Sequence, residues 1–579
     1  MTRNDAVADR LAEMADRLAA MDVEYKPRAY RRAAENVREH PESIERLASE
    51  GEATVGEIDG VGDAIASKIV EYVETGSIDE LEELREQLPV EIAALTSVEG
   101  VGPKTVGTLY EALDIRTLDD LEDAAKAGEI QEVKGFGAKT EQNILEGIEF
   151  ARQAHERQLL GDALPLGESA RSYLAAQPSV ERVEVGGSLR RWKPTIGDVD
   201  VLVGSNDSER VIEAFADWDE AETVIEAGET KASLRVGSVR VDLRVVAPEE
   251  FGAALQYFTG SRDHNVAMRN RAIERDLKMN EYGVFDVSGI EDPDAGQRVG
   301  DRVAGETEAS MYAALELPHV PPELREGRGE IDAAAAGELP DLLTEEDVCG
   351  DLHVHTEWSD GDNSIAEMIE GAAAVGHEYV AITDHATGPG MVGGVGLDDA
   401  TLREQIEDIR AAASEADIEV FAGVEANIGE DGSISVAEDV LAELDLVVAS
   451  PHAALSGNGT DRLIAAAEHP QVDIIGHPTG RYRNRRPGLT VEYDRLADAA
   501  AGAGTALEVN ANPRRLDLGG QAVRAAIEAD ATVVIDTDAH RPGSYEYVRY
   551  GVHTARRGWA EAGDVLNTRD VDGIRRFLD

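Results

Sequence analysis

The sequence predicts a multidomain chain: an α-helical N-terminal region, a central α+β part, and a C-terminal distorted β/α barrel. Three observations carry this prediction. A hydrophobic-x-Gly-hydrophobic-Gly pattern recurs three times between Ile58 and Gly137. In the centre, Asp198-Val-Asp-Val-Leu-Val203 alternates carboxylate and apolar residues after a Gly-Gly-Ser break at 186–188. In the last part, short apolar runs each end in histidine, aspartate or glutamate, with helix-like segments between them.

The chain has 579 residues, enough for three or four cored domains. No apolar run is long enough to cross a membrane, and the N-terminus shows no secretory leader pattern. A single cysteine, Cys349, excludes an internal disulfide framework and fits a reducing cytoplasm. The formal charge is −61 and aromatic residues make up only 4%. Of 55 basic residues nine are lysine, the last being Lys278. Acid spread along every segment suggests a halophilic protein adapted to molar salt. There the Debye length falls to about 3 Å, so charge repulsion from nucleic acid is largely screened.

Residues 1 to 50 show helical periodicity, with Leu11, Met14, Ala15 and Leu18 on one face, and a second helix is expected over 28–39. The three glycine turns follow: Gly60 and Gly62, Gly100 and Gly102, Gly135 and Gly137. Each opens a helix, where glycine lets backbone N–H groups face a phosphate oxygen. One such turn is commonly plain structure, whereas three in register resemble helix-hairpin-helix elements, which grip the DNA backbone without reading sequence.

In the centre, residues 180–185 read as a short strand. Period two places Asp198 and Asp200 on one face of the next strand, and Val239-Arg-Val-Asp-Leu-Arg-Val-Val246 could set Asp242 beside them. Three carboxylates converging from two strands can hold two Mg²⁺ ions, which suits phosphoryl transfer. Gly187 and Ser188 offer close backbone approach and a hydroxyl to a phosphate, and Arg190 or Arg191 a fork of donors. A lone Asp-x-Asp is more often a strand with solvated aspartates. The combination with Gly-Gly-Ser and a third aspartate resembles the nucleotidyltransferase signature of family X DNA polymerases.

That resemblance implies a two-metal polymerase palm (Mg²⁺ or Mn²⁺) with Asp198, Asp200 and Asp242 as catalytic ligands, and Gly187, Ser188 and Arg191 on the dNTP. Tyr257-Phe-Thr-Gly-Ser261 resembles the family's sugar-binding turn, so Tyr257, Phe258 and Gly260 would also bind the dNTP. Asn265 matches the residue at the base edge, and Arg269 the residue on the template strand. Residues 23–85 resemble the family's small lyase domain. Lys68 stands at the Schiff-base position, with Lys26 and Tyr30 matching two neighbours and Ala64 replacing a supporting lysine. Lys68 reads equally as a phosphate contact. The implied divisions are a lyase-like helical domain (1–90), a fingers-like helix-hairpin-helix domain (91–155), palm (156–250) and thumb (251–317).

A Pro-, Gly- and acid-rich stretch, 318–348, reads as an interdomain linker. Residues 349–579 contain no lysine and nine of the 13 histidines. His353 and His355 share a strand face, and Asp360 follows on the loop. Ala381-Ile-Thr-Asp-His385, Gly423-Val-Glu425, Ala449-Ser-Pro-His452, Ile474-Ile-Gly-His477 and Ile535-Asp-Thr-Asp-Ala-His540 each carry a metal-type residue at the end of an apolar run. Chemistry in such barrels sits at the C-terminal mouth of the strands. Imidazole with carboxylate suits Zn²⁺, Mn²⁺ or Fe²⁺ better than Mg²⁺ alone.

The pattern resembles the polymerase-and-histidinol-phosphatase (PHP) domain, a metal-dependent phosphoesterase. It implies ligation of up to three metals by His353, His355, Asp360, His385, Glu425, His452, His477, Asp538 and His540. Arg481 is a candidate phosphate contact, while His377, His469 and His553 fall outside the motifs. The whole chain is thereby similar to a family X DNA polymerase of bacterial and archaeal type bearing a PHP domain. Implied are short-gap filling in DNA repair with a 3′→5′ exonuclease, with abasic-site or 3′-phosphoester cleavage as a further activity within the family's range. The expected partners are gapped or primer-template DNA and dNTPs, with no membrane, acting as a cytoplasmic monomer. Two other readings stay open: mainly a phosphoesterase whose palm only binds DNA ends, or a DNA-end scaffold.

Overall fold

The structure, a computed structural model, describes residues 3–578 apart from 24–25, 40–42, 57, 59, 97, 99–100, 156, 238, 294, 392–394 and 484–487. The chain divides into two compact units, Met1–Glu156 and Arg157–Asp579.

The first unit is helical. One apolar core runs from Val7 to Leu84, centred on the face of Arg3–Ala20 that carries Leu11, Met14 and Ala15. A second spans Leu88 to Ile148. At the first glycine turn Gly60 takes a left-handed φ of +77°, open to glycine at little cost, and Gly62 is extended and caps the helix Asp63–Thr75. Gly102 caps Pro103–Leu113 in the same way, and Gly135 (φ +101°) and Gly137 precede Ala138–His155. No side chain caps the first two of these helices. A Cβ on Gly62, Gly102, Gly135 or Gly137 would meet nothing within 4 Å, so these turns are open in front. Gly100 lies outside the described residues.

In the second unit a five-stranded sheet is built from β1 (Arg182–Val185), β2 (Val199–Gly204), β3 (Thr223–Ala227), β4 (Lys231–Val236) and β5 (Val239–Val246), in the order β1-β2-β5-β4-β3. The alternation read in the sequence sets its burial: Val199, Val201 and Val203 are buried, as are Val241, Leu243 and Val245. Strands β2 and β5 pair in parallel with Asp200 opposite Asp242. The helices Phe251–Thr259 and Arg262–Ile273 follow, then β6 (Leu277–Asn280), β7 (Gly283–Asp286) and β8 (Asp301–Ala304) as a three-stranded antiparallel sheet.

The stretch 318–348 is packed rather than loose, and both parts that it joins lie in the one unit Arg157–Asp579. Val320, Leu324, Ile331 and Ala334 enter the core formed by Ala253 to Leu317. Arg325 is fully buried and ion-paired with Glu308. Three of its glutamates are counter-ions instead of solvated charge. Glu323 meets His553 and Arg556 at 2.6 and 2.7 Å, Glu326 meets Arg191 at 2.9 Å, and Glu330 meets buried His264 at 2.7 Å. No periodicity betrays such a segment, because each partner is distant in sequence.

The barrel has seven parallel strands in sequence order: β9 (Gly350–Val354), β10 (Tyr379–Ile382), β11 (Glu419–Asn427), β12 (Leu446–Ser450), β13 (Ile474–Ile475), β14 (Ala506–Asn510) and β15 (Val533–Asp536). Val354 bridges Ala539 in parallel, joining the first strand to the segment after the last. Leu352, Phe421, Val448 and Val534 cluster with Leu566 and Ile574 of the C-terminal segment. The sheet around Asp200 shares its core with this barrel, because Leu516 and Tyr550 pack among Leu160, Val201 and Val245. The helix Val548–Arg556 carries Tyr550, and just beyond the same face Trp192 stacks on His553 with ring centroids 3.6 Å apart.

Two candidate metal centres

The first centre lies where the start of β2 meets the middle of β5. Ligand atoms of Asp198, Asp200 and Asp242 all fall within 4.8 Å of one another. Burial, then the charges of Asp198 and Asp242, push the Asp200 carboxyl up to about 7. Asp198 is raised by burial and by Asp242. Three carboxylates so close repel, and divalent cations are the natural counter-charge. Asp242 is aimed by Ser233 Oγ, which donates to it at 2.5 Å from β4, and by Arg240 Nε at 2.8 Å. Gly187 (φ +59°) lies so near that a Cβ would stand 2.0 Å from Asp200 Oδ2. Only glycine lets the Gly-Gly-Ser backbone approach the carboxylates this closely.

The remaining central residues surround this triad. Ser188 is half-buried in the short helix Gly187–Arg190. Arg190 is taken up by Glu308 at 2.6 and 2.8 Å, which leaves Arg191, together with Arg244, as the arginines whose charge acts on Asp200. Phe258 lines a cavity of roughly 280 Å³ with Asp200, Asp242 and Arg244, and Arg244 lies over its ring at 4.2 Å. Tyr257 meets Phe258 edge-on. Asn265 donates to the Tyr257 carbonyl at 2.7 Å and accepts from Gln256 at 2.9 Å. A Cβ on Gly260 would sit 2.5 Å from Asn265 Oδ1, so the turn needs glycine. Arg269, one helical turn beyond Asn265 on Arg262–Ile273, is half-buried.

In the first unit Lys68 contacts Glu80 at 2.9 Å and the Ala64 carbonyl at 3.1 Å, with Tyr30 beside it. Burial alone would lower its pKa, but Glu80 and Tyr30 raise it. That pairing keeps the amine protonated, the opposite of what attack on a carbonyl requires.

The second centre is the mouth of the barrel, and all nine sequence-predicted ligands converge there. Glu425, fully buried on β11, is its hub. His353, His355, His385, His452 and His477 approach its oxygens at 3.5, 3.7, 2.5, 3.3 and 2.9 Å. Asp360 reaches His385 at 3.4 Å and His540 at 3.3 Å, and Asp538 reaches His355 at 3.1 Å. The facing atoms of His353, His355, His385, His452, His477 and Glu425 are buried yet make no hydrogen bond. Polar atoms so close without hydrogen-bond geometry are expected where lone pairs point at a shared cation. Three overlapping groups can be drawn: His355, Asp360, His385 and His540; His353, His355 and Glu425; and His385, Glu425 and His452. Burial and neighbouring imidazoles push His355 down to about 3, holding it in the neutral form that ligates metal. His477 (φ +24°) and Asp538 (φ +54°) hold left-handed backbone, strain tolerated where a side chain must be aimed.

Sequence reading missed the layer behind these ligands. Strand β14, with no predicted ligand, supplies Glu508, whose buried carboxylate accepts from His353 Nδ1 at 2.6 Å and from the His477 N–H. Asn427 does the same for His452 Nδ1 at 2.8 Å, and Asn510 donates to Asp538 at 3.1 Å. The usable signal was a glutamate inside the apolar run Ala506-Leu-Glu-Val-Asn510, since an unpaired buried carboxylate is costly. Arg481 lies near this layer, 3.8 Å from Asp517, with a buried Nη2 that makes no hydrogen bond. His377 and His553 lie elsewhere, packed against Tyr545 and Trp192.

Family profiles match four segments: a helix-hairpin-helix domain (2–78), a SAM-like helix-hairpin-helix tandem (92–149), a DNA polymerase beta thumb (254–326) and a PHP domain (351–512). The thumb match runs past residue 317 into the packed connector. The chain is 34% identical over 564 residues to the DNA polymerase/3′-5′ exonuclease PolX of Bacillus subtilis, covering 96% of each chain. It is 27% identical to DNA polymerase lambda of Rattus norvegicus over 46% of this chain and 48% of that one. A probable phosphatase of Caldanaerobacter subterraneus is 34% identical over 28% of this chain and 61% of its own. No helix among the described residues is long and apolar enough to cross a membrane. Its fold, its two metal-type clusters and its end-to-end likeness to a polymerase-exonuclease place this chain in the family X DNA polymerases that carry a C-terminal PHP domain.

Proposed function

We propose that this chain, acting as a monomer, fills short gaps in DNA during repair at the carboxylate centre and trims 3′ ends hydrolytically at the barrel mouth. The observation that carries the reading is the coexistence of two unlike clusters, one all carboxylate and one imidazole around a buried glutamate. Mg²⁺ or Mn²⁺ suits the first, and Mn²⁺, Zn²⁺ or Fe²⁺ the second. Bound there, such ions neutralise charge developing on the reacting phosphate and acidify the attacking hydroxyl or water.

The chain's residues do the rest. Asp242, aimed by Ser233 and Arg240, helps take the proton of the primer 3′-hydroxyl. The Gly187 backbone, Ser188 and Arg191 hold the triphosphate, so the hydroxyl meets the α-phosphate and pyrophosphate leaves. Tyr257, Phe258 and Gly260 form the wall against the sugar, Asn265 reads the base edge, and Arg269 steadies the template. The glycine turns hold the DNA backbone, with Gly62, Gly102, Gly135 and Gly137 open in front and Gly60 and Gly100 as their sequence counterparts. Lys68, kept protonated, acts as a phosphate contact.

The test is primer extension and primer degradation on gapped DNA with Mn²⁺ or Mg²⁺. Wild type is compared with Asp198→Ala/Asp200→Ala and with His353→Ala/His355→Ala. Each double variant is expected to lose one activity by about a thousandfold and retain the other, a loss equal to several kcal/mol of charge stabilisation. Extension unaffected by loss of Asp198 and Asp200 would leave the palm as a DNA-end binder only.

A further inference from the structure

The Arg191 guanidinium is held by three elements. Nη1 donates to the Thr259 carbonyl at 2.6 Å, at the start of the turn that carries Gly260. Nε donates to Glu326 of the connector at 2.9 Å. Nη2 makes no hydrogen bond among the described residues. Arg557, at the end of the barrel helix Val548–Arg556, donates from Nη1 to the Arg191 carbonyl at 2.5 Å and to the same Glu326 oxygen at 3.1 Å. Lys193 stands 3.8 Å from the other oxygen. Three cations thus surround one carboxylate in a chain with more than twice as many acids as bases, and Glu326, Arg191 and Arg557 are all close to buried. Burial would raise Glu326, yet Arg557, Arg191 and Lys193 hold it down to about 2, so it stays ionised. A guanidinium with two nitrogens fixed and one free is a preorganised anion donor.

We infer that Glu326 and Arg557 are positioning residues for nucleotide addition: the PHP barrel, through Arg557, fixes the plane of Arg191 so that its free Nη2 meets the triphosphate. The inference rests on the reading of Arg191 as a triphosphate contact. It makes dNTP binding in the palm depend on a side chain of the other catalytic domain. Arg557 makes no contact with the barrel's metal-type ligands, so hydrolysis there does not depend on it.

The experiment is steady-state gap filling by the full chain carrying Arg557→Gln, Arg557→Lys, Glu326→Ala, Glu326→Ala with Arg557→Gln, or Arg191→Gln. KM for dNTP, kcat, inhibition by inorganic pyrophosphate and DNA affinity are measured alongside primer hydrolysis. Arg557→Gln and Glu326→Ala are each expected to raise the KM for dNTP and the pyrophosphate inhibition constant about tenfold, with kcat, DNA affinity and hydrolysis little changed. The double variant should be no worse than the poorer single, because both act through one contact. Arg557→Lys should recover part of the loss. If Arg191→Gln raises the KM but the Glu326 and Arg557 variants do not, the positioning role is wrong and the triphosphate reading stands. If Arg191→Gln leaves the KM unchanged, that reading itself fails. A parallel fall of kcat, hydrolysis and melting temperature in the Arg557 variants would mark the contact as structural only.

Discussion

The two centres solve one problem, holding cations against phosphate oxygens, with opposite construction. The palm triad comes from two adjacent strands and uses carboxylates alone, beside a cavity of roughly 280 Å³. The barrel set gathers ligands from six strand ends around a fully buried glutamate, backed by further buried groups on the remaining strand, β14, and on β11. Oxygen ligands with room around them suit Mg²⁺-like ions that keep waters and exchange with each incoming nucleotide. An imidazole cage suits ions that stay. The palm therefore depends on backbone closeness, and the barrel on its outer layer.

The sharpest way to break this contrast is Gly187→Ala. The added Cβ would overlap Asp200 and take an unfavourable φ, so gap filling should fall by about a hundredfold or more, as for misplacements near 1 Å at a reacting centre. Primer hydrolysis measured in the same preparation should not change. Next comes Glu508→Gln, which loosens His353 and His477 together. Metal content after dialysis, read by elemental analysis, should show a 10–100-fold weaker barrel site, about the range for groups that orient metal ligands. Retention of metal would mean the cage does not need its outer layer. The corresponding palm variant, Ser233→Ala, removes one donor to Asp242 that Arg240 also serves, so only about a few-fold rise in the Mg²⁺ needed for half-maximal extension is expected.

The smallest effect concerns pH. Asp200 has a folded value of about 7 against an ordinary one near 4, so its contribution to stability is full below about pH 4 and is lost as pH rises through about 7. A divalent cation replaces the missing proton above that range. Adding Mg²⁺ to the metal-free protein should raise its melting temperature by about a few degrees more at pH 8 than at pH 5. An equal rise at both values would contradict the repulsion assigned to the triad. At the palm–barrel contact the sign is reversed. Glu323, held down to about 2 by His553 and Arg556 against the effect of burial, keeps its stabilisation above about pH 4.5 and loses it as pH falls through about 2.

Much of both centres was legible in the sequence, and the reason is local. Strand periodicity alone puts Asp198 and Asp200 on one face, and metal-type residues ending one apolar run after another point to the mouth of a barrel. The glycine turns were legible because left-handed or closely approached backbone has few other solutions. The connector misled because proline, glycine and acid usually mean solvent. Here Glu323, Glu326 and Glu330 are instead matched to His553, Arg191 and His264.

The sequence by itself determined the chemistry of this protein. Ligand types, spacing and strand alternation are short-range properties that two-metal and imidazole–carboxylate sites require. Tertiary structure alone decided that Glu508 orients His353, that Arg190 is spent on Glu308 while Arg191 Nη2 makes no hydrogen bond among the described residues, and that Arg557 reaches Arg191 from the barrel. These pairings join residues far apart in the chain. What selects them is the cost of leaving a buried charge without a partner, which acts only once the domains have packed.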